Sequence, residues 1–265
     1  ELDLIGFGSV LTDDWETAKS QDNLVTESVP TTSYTTLIFN TQKEYLTQEV
    51  RQALNMAINR DVLVNGLLMG EGTPIMTPIA PVSPYYNDKV QVQYDPEKAK
   101  ELLAEAGWDS SRKLKMAVTS ARESMAAIIQ QNLAEAGITI DVQTVELATM
   151  FSGLQDGTYD LGICGSTAMS YPLWMSGYYD NKNATYCQIT DTAYAELQDK
   201  IAAETDEAKK KELVNEYQQL LWDEMPLVML YNGYIFGVQS ERFQGYNAFE
   251  GGVNNQAVWK WSVKE

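Results

Sequence analysis

The sequence predicts an α/β fold with a mixed, largely parallel sheet flanked by helices. Two observations carry this. Residues 113–164 alternate between strand-like and helix-like stretches in the order β-α-β-α-β, which implies parallel pairing through right-handed crossovers. Of the 265 residues, 44% are apolar and 10% aromatic, including 15 Tyr, which is enough to fill a core and argues against disorder.

Each element has a local reason. Leu2–Phe7 reads as a strand, Asp13–Lys19 as a short helix and Tyr34–Asn40 as a firmer strand. Thr47–Asn59 sets Val50, Ala53, Leu54, Ala57 and Ile58 on one helical face. Asp61 is the expected cap of a second helix that runs through Leu68 and closes at Gly70. Four prolines between positions 74 and 84 then require an extended, ordered loop, and its Ile, Met and Val side chains should pack on the body. In the helix Asp95–Ala106, Asp95 caps the free amides, Pro96 suits the first helical position and Gly107 takes the left-handed stop.

Lys113–Thr119, Ile138–Val145 and Tyr159–Cys164 are the strands of the alternating block, with helices at Arg122–Ala136 and Leu147–Gln155. In open sheets of this kind ligands meet the carboxyl ends of strands. One such end is Y-D-L-G-I-C-G-S-T-A-M-S-Y-P (159–172), which has no charged side chain after Asp160. Helices follow at Asp191–Glu204 and Asp206–Glu224, the latter ended by Pro226. Residues 228–238 read as a hairpin turning at Asn232-Gly233, since both positions tolerate positive φ. Residues 254–263 alternate and should end in an edge strand. No repeat and no interior linker divides the chain.

Composition narrows function. A formal charge of −18 repels phosphate backbones and anionic lipid, which excludes nucleic acid as a partner. The basic run Lys209–Lys211 falls inside a predicted helix and reads as a solvated face. No uncharged apolar stretch reaches the length of a membrane span. The chain has no histidine, so Ser-His-Asp and Cys-His catalysis and His-containing zinc sites cannot be built within it. Cys164 and Cys187 are too few for a Cys-only zinc site. They could form one disulfide or be two buried thiols.

Other motifs weigh little. Gly162–Ser166 has the outline of a nucleophile elbow centred on Cys164, but no histidine can generate the thiolate. Ser110–Lys113 matches S-x-x-K, yet precedes a strand and has no K-T-G after it. Asn183-Ala184-Thr185 is a glycosylation sequon of a kind that arises by chance. An aromatic group is more suggestive. Tyr171, Trp174, Tyr178 and Tyr179 follow the strand end, and Tyr231 and Tyr234 flank Asn232-Gly233, so together they could line a pocket.

Several segments, in order and spacing, resemble one family. They are V-R-Q-A-L-N-M-A-I-N-R-D (50–61), G-E-G-T-P (70–74) and Y-D-P-E-K-A-K-E-L-L-A-E-A-G-W (94–108). I-I-Q-Q-N-L-A-E-A-G-I-T-I-D-V (128–142), G-T-Y-D-L (157–161) and Y-Q-Q-L-L-W-D-E-M-P-L-V-M-L-Y (217–231) complete the set. Together they look like the family 5 extracytoplasmic solute-binding proteins of the oligopeptide, dipeptide and nickel type, which feed ABC importers.

The resemblance implies a periplasmic-binding-protein type II-like lobe in a longer, two-lobed protein. Residues 1–265 would be the single C-terminal lobe, with hinge-proximal segments at about 1–33 and 246–265. It further implies no enzymatic activity and no cofactor. The expected setting is extracytoplasmic, in the periplasm or on the outer face of the cytoplasmic membrane as a lipoprotein. The protein would act as a monomer, with the permease subunits and its own N-terminal lobe as partners.

In peptide-binding relatives the segment matching Ile163–Tyr171 faces the cleft and carries a Trp and an Asp, the Asp pairing with the peptide's α-ammonium. Here those places fall at about Ser166 and Met169, and only Asp180, the other lobe or a shifted register could supply the acid. Loss of such a charge-assisted bond costs about 1.5–3 kcal/mol, so an ordinary free-amine peptide is disfavoured. The expected cleft wall is Ser166, Thr167, Met169, Ser170, Tyr171, Trp174, Tyr231 and Asn232. The ligand would be a peptide or similar organic solute. Alternatives are a nickel complex or sugar within the same family, or a hydrolase using Cys164 or Ser166.

Overall fold

The computed structural model of the protein describes residues 4–5, 10–167, 186–245 and 260–264. Its elements are β1 (Leu4–Ile5), α1 (Thr12–Lys19), β2 (Leu24–Pro30), β3 (Ser33–Phe39), α2 (Gln48–Ala57), α3 (Arg60–Leu68) and β4 (Gly72–Pro74). Then come α4 (Pro96–Glu105), β5 (Lys113–Val118), α5 (Glu123–Glu135), β6 (Thr139–Thr144), α6 (Leu147–Gln155) and β7 (Leu161–Thr167). Last are α7 (Ala193–Ala203), α8 (Glu207–Glu224), β8 (Leu227–Ser240), β9 (Phe243–Gln244) and β10 (Ser262–Val263).

The helix starts follow capping chemistry. Thr47 accepts from the Val50 amide, Asp95 from Lys98, and Asp206 from Ala208 and Lys209, each relieving amides that have no intrahelical partner. α3 is capped by Asn59, which accepts from Val62, and not by Asp61. The cap thus lies two residues earlier, at a position whose main-chain amide donates to the side-chain oxygen of Asn132 (3.0 Å).

The described residues form an eight-stranded mixed sheet in the order β1-β8-β3-β7-β5-β6, with β2 and β4 also on β8. Parallel pairing is confined to β7-β5-β6, and every pair involving β3 or β8 is antiparallel. β6 lies on one side of β5 and β7 on the other, so two right-handed crossovers send α5 and α6 to opposite faces. The two cores match this. Met125, Ile129 and Leu133 of α5 pack with α2, α3 and α4 on one face. Met150 and Leu154 of α6 pack with α7, α8 and the proline loop on the other. The proline loop is fixed as the sequence requires. Ile75 and Ile79 are buried, the Thr77 hydroxyl donates to Gln218 (2.7 Å), and the Gln218 amide donates to the Tyr85 carbonyl (3.0 Å).

Residues 228–238 are not a hairpin. β8 is one continuous strand of 14 residues, and neither Asn232 nor Gly233 has positive φ. The local Asn-Gly preference is overridden because both edges of β8 are occupied. β3 and β2 lie along one edge, and β4 and β1 along the other. β2 and β4 were not legible as strands. Among the described residues, no helix is long and apolar enough to cross a membrane.

Candidate functional site

The carboxyl end of β7 is built from three strands in register. Gly165 of β7 pairs with Thr35 of β3, and Thr35 pairs in turn with Tyr231 of β8. Beside it, Met116 and Ala117 of β5 pair with Leu161 and Gly162, so β5 runs parallel to β7 and ends at the same edge. The register of β3 on β8 slips between Thr35 and Thr36, which face Tyr231 and Met229 and leave Leu230 as a bulged residue. Such a bulge re-aims the side chain beside it. The residue beside the bulge is Tyr231, paired with Thr35. Burial pushes the Tyr231 phenol above its ordinary range, opposed by the Thr35 hydroxyl and by the Arg122 cation.

Arg122 brings charge to this edge. The chain leaves β5 through a single 3-10 turn, Ser120–Arg122, and returns into α5. That turn lays the guanidinium over Gly165, with Nη2 only 2.9 Å from where a Cβ on Gly165 would lie. The Tyr34 carbonyl is at the same 2.9 Å on that glycine, so only glycine lets the cation and the strand approach this closely. Arg122 is half-buried, and among the described residues no carboxylate pairs with it. In the sequence Arg122 reads only as a helix start. A signal was present: between Lys115 and Lys182 it is the sole basic residue.

The expected wall residues divide as follows. The backbone of Ser166 and Thr167 continues β7 opposite Tyr34 and Ser33. Met169, Ser170, Tyr171 and Trp174 lie outside the described residues, as do Tyr178, Tyr179, Asp180 and the sequon at Asn183. Tyr231 belongs to the edge and is 8% exposed. Asn232 is fully buried, and its amide nitrogen donates to the carbonyls of Thr31 (2.7 Å) and Ser33 (2.5 Å). It holds the chain beneath the edge and offers no surface to a ligand.

Cys164 and Cys187 are buried in the same apolar cluster as thiols, without the disulfide that the sequence allowed. Burial raises the Cys187 thiol well above its ordinary range, the opposite of what a nucleophile needs. Among the described residues no group of His, Cys, Asp and Glu is arranged to hold a metal ion.

Asp160, the acid of G-T-Y-D-L, stands at the far end of β7 and has a structural task. Its carboxylate accepts from the Lys115 amide (2.8 Å) and the Tyr45 hydroxyl (2.7 Å), and Lys43 Nζ is 3.4 Å away. These bonds fasten β7 to β5 and to the loop after β3, which fixes the strands whose other ends form the candidate site.

The family described as bacterial extracellular solute-binding proteins, family 5 middle, matches residues 1–186. Among curated relatives, heme-binding protein A of Haemophilus influenzae is 27% identical over 226 residues, covering 79% of this chain and 41% of the relative. The dipeptide-binding protein of Escherichia coli is also 27% identical, over 225 residues, covering 79% and 42%. The chain thus spans less than half the length of these two relatives. Among solved structures, the periplasmic binding protein DppA from Helicobacter pylori, in complex with the peptide STSA, superposes with a TM-score of 0.81 at 24% identity, covering 96% of this chain and 51% of that one. The fold expected from the resemblance, a type II periplasmic-binding-protein-like lobe, is the one observed. A mixed sheet with helices on both faces and a family match over residues 1–186 together make this protein a member of the bacterial extracellular solute-binding proteins of family 5.

Proposed function

We propose that this chain is the C-terminal lobe of a two-lobed, extracytoplasmic protein that captures a peptide or similar organic solute and hands it to an ABC permease. The observation that carries the reading is the position of Arg122 at the carboxyl ends of β5 and β7, over Gly165 and near Tyr231. A half-buried guanidinium without a carboxylate partner among the described residues has donors left for a ligand, and a carboxylate fits their planar fork. In the sequence, residues 161–172 contain no acid. The favoured solute therefore presents an anionic group to this lobe, and hydroxyls, rings and backbone groups bind the remainder.

Similarity to a dipeptide-binding protein and to a peptide-bound structure supports a peptide as the solute class. The same cation would also suit the carboxylates of a haem, and one relative bears the name heme-binding protein. Native mass spectrometry of the full-length protein with a pool of short peptides, and separately with hemin, tests the reading. A stoichiometric peptide adduct supports it. A hemin adduct with no peptide adduct replaces the solute class, and no adduct with either refutes this function.

A hydrolytic role for Cys164 finds no support in the buried, apolar setting of that thiol. A nickel complex would have to be held without histidine from this chain.

A further inference from the structure

A second cavity lies at the other end of the sheet from Arg122. There Phe39, at the end of β3, pairs with Leu161, at the start of β7. Just past that pair, Thr41, Arg51 of α2, Thr190, Asp191, Tyr194 of α7 and Glu224 of α8 line a space of about 210 Å³. A cavity of about 150 Å³ is enough to hold benzene, so this one has room for a small organic molecule.

The buried wall of the cavity carries a cation. Arg51 is 8% exposed and ties α2 to the end of α8. Its Nε donates to the Met225 carbonyl (2.9 Å), Nη1 to the Leu46 carbonyl (2.5 Å) and Nη2 to the Glu224 carbonyl (2.6 Å). A guanidinium has five N–H donors, so these bonds leave one on each terminal nitrogen. All three acceptors are neutral, and among the described residues no carboxylate pairs with Arg51.

The outer wall carries the opposite sign. Asp191 and Glu224 are both exposed. The Asp191 carboxylate is held in place by the Ala193 amide at the start of α7 (2.9 Å). Burial pulls the Arg51 guanidinium below its ordinary range, and the Glu224 carboxylate acts against that pull. Cation and acids thus share one cavity without closing into an ion pair. A simple anion placed there would meet the two outer carboxylates, and a simple cation would meet Arg51. A zwitterion with its two charges a few atoms apart satisfies both walls: a carboxylate suits the planar fork of Arg51, and an ammonium suits the acids.

We propose that this cavity is a second ligand site, distinct from the strand edge at Arg122, for a free α-amino acid with a small side chain. The ligand's carboxylate meets Arg51, and its ammonium group meets Asp191 and Glu224.

Titration calorimetry of the full-length protein with L-alanine tests the site. Saturable binding is expected. L-alaninamide, which lacks the carboxylate, and propionate, which lacks the ammonium, should each bind at least about tenfold more weakly. The double variant Asp191→Asn, Glu224→Gln keeps an acceptor for the Ala193 amide and the Glu224 main-chain carbonyl that Arg51 needs. It should keep the parent's unfolding midpoint and bind alanine at least about tenfold more weakly. Arg122→Ala should leave alanine affinity within about twofold, since distant sites act independently. No saturable binding of alanine overturns the proposal, as does equal binding of alaninamide or propionate, or full affinity in the double variant. Loss of alanine binding in Arg122→Ala would move the ligand to the strand edge and overturn it too. A protein that binds alanine here but no peptide would count only against the functional reading above.

Discussion

The guanidinium of Arg122 and the backbone of Gly165 meet so closely that a single added carbon would touch both the cation and the Tyr34 carbonyl. Gly165→Ala should therefore push Arg122 off the strand edge and strain β3 against β7, destabilising the lobe by about 1–3 kcal/mol. Urea denaturation of the full-length protein measures the loss. Stability within about 0.5 kcal/mol of the parent would show that the approach is looser than described.

Asp160 should matter for stability. Asp160→Ala leaves the Lys115 amide and the Tyr45 hydroxyl without their acceptor and removes the partner of Lys43. A loss of about 3 kcal/mol is expected. A change below about 1 kcal/mol would contradict the network described.

The Tyr45 phenol is pushed up to about 12, first by burial and then by its bond to Asp160. A group that holds its proton more tightly when folded stabilises the protein fully below its unfolded value, near 10. It loses that contribution as pH rises through the folded value. Thermal stability should thus fall between about pH 10 and 12, and Tyr45→Phe should make that fall shallower. A slope identical in parent and variant would show that Tyr45 is not linked to folding.

Asn232→Ala leaves two partly buried carbonyls, those of Thr31 and Ser33, without the amide that joins them. A cost of about 1–3 kcal/mol is expected, with faster amide exchange centred on residues 31–34. Unchanged exchange there would mean that the Asn232 side chain does not hold this segment.

Most helices and the parallel strands were legible because each carried its own signal: a cap at Asp95, a stop at Gly107, apolar spacing through Val50–Ile58, alternation of type across 113–164. What escaped depended on distant partners. Asn232-Gly233 has the local chemistry of a turn, yet pairing on both edges keeps β8 extended through it. β2 and β4 are short or polar strands that exist because β8 lies between them. At the site, the uncharged end of β7 could be read from residues 159–172, but its charge comes from Arg122 on β5's turn, a neighbour set by sheet order.

The central claim is that this strand edge receives the anionic group of a captured solute through Arg122. Calorimetric titration of the full-length protein with the tightest-binding peptide from the pool, carrying a free carboxylate or an amidated C-terminus, tests it most directly. The account expects the amidated form to bind at least about tenfold more weakly, and Arg122→Ala to remove that difference while β5–β7 stay folded. Equal affinity for the two forms, or a preference that survives Arg122→Ala, would contradict it.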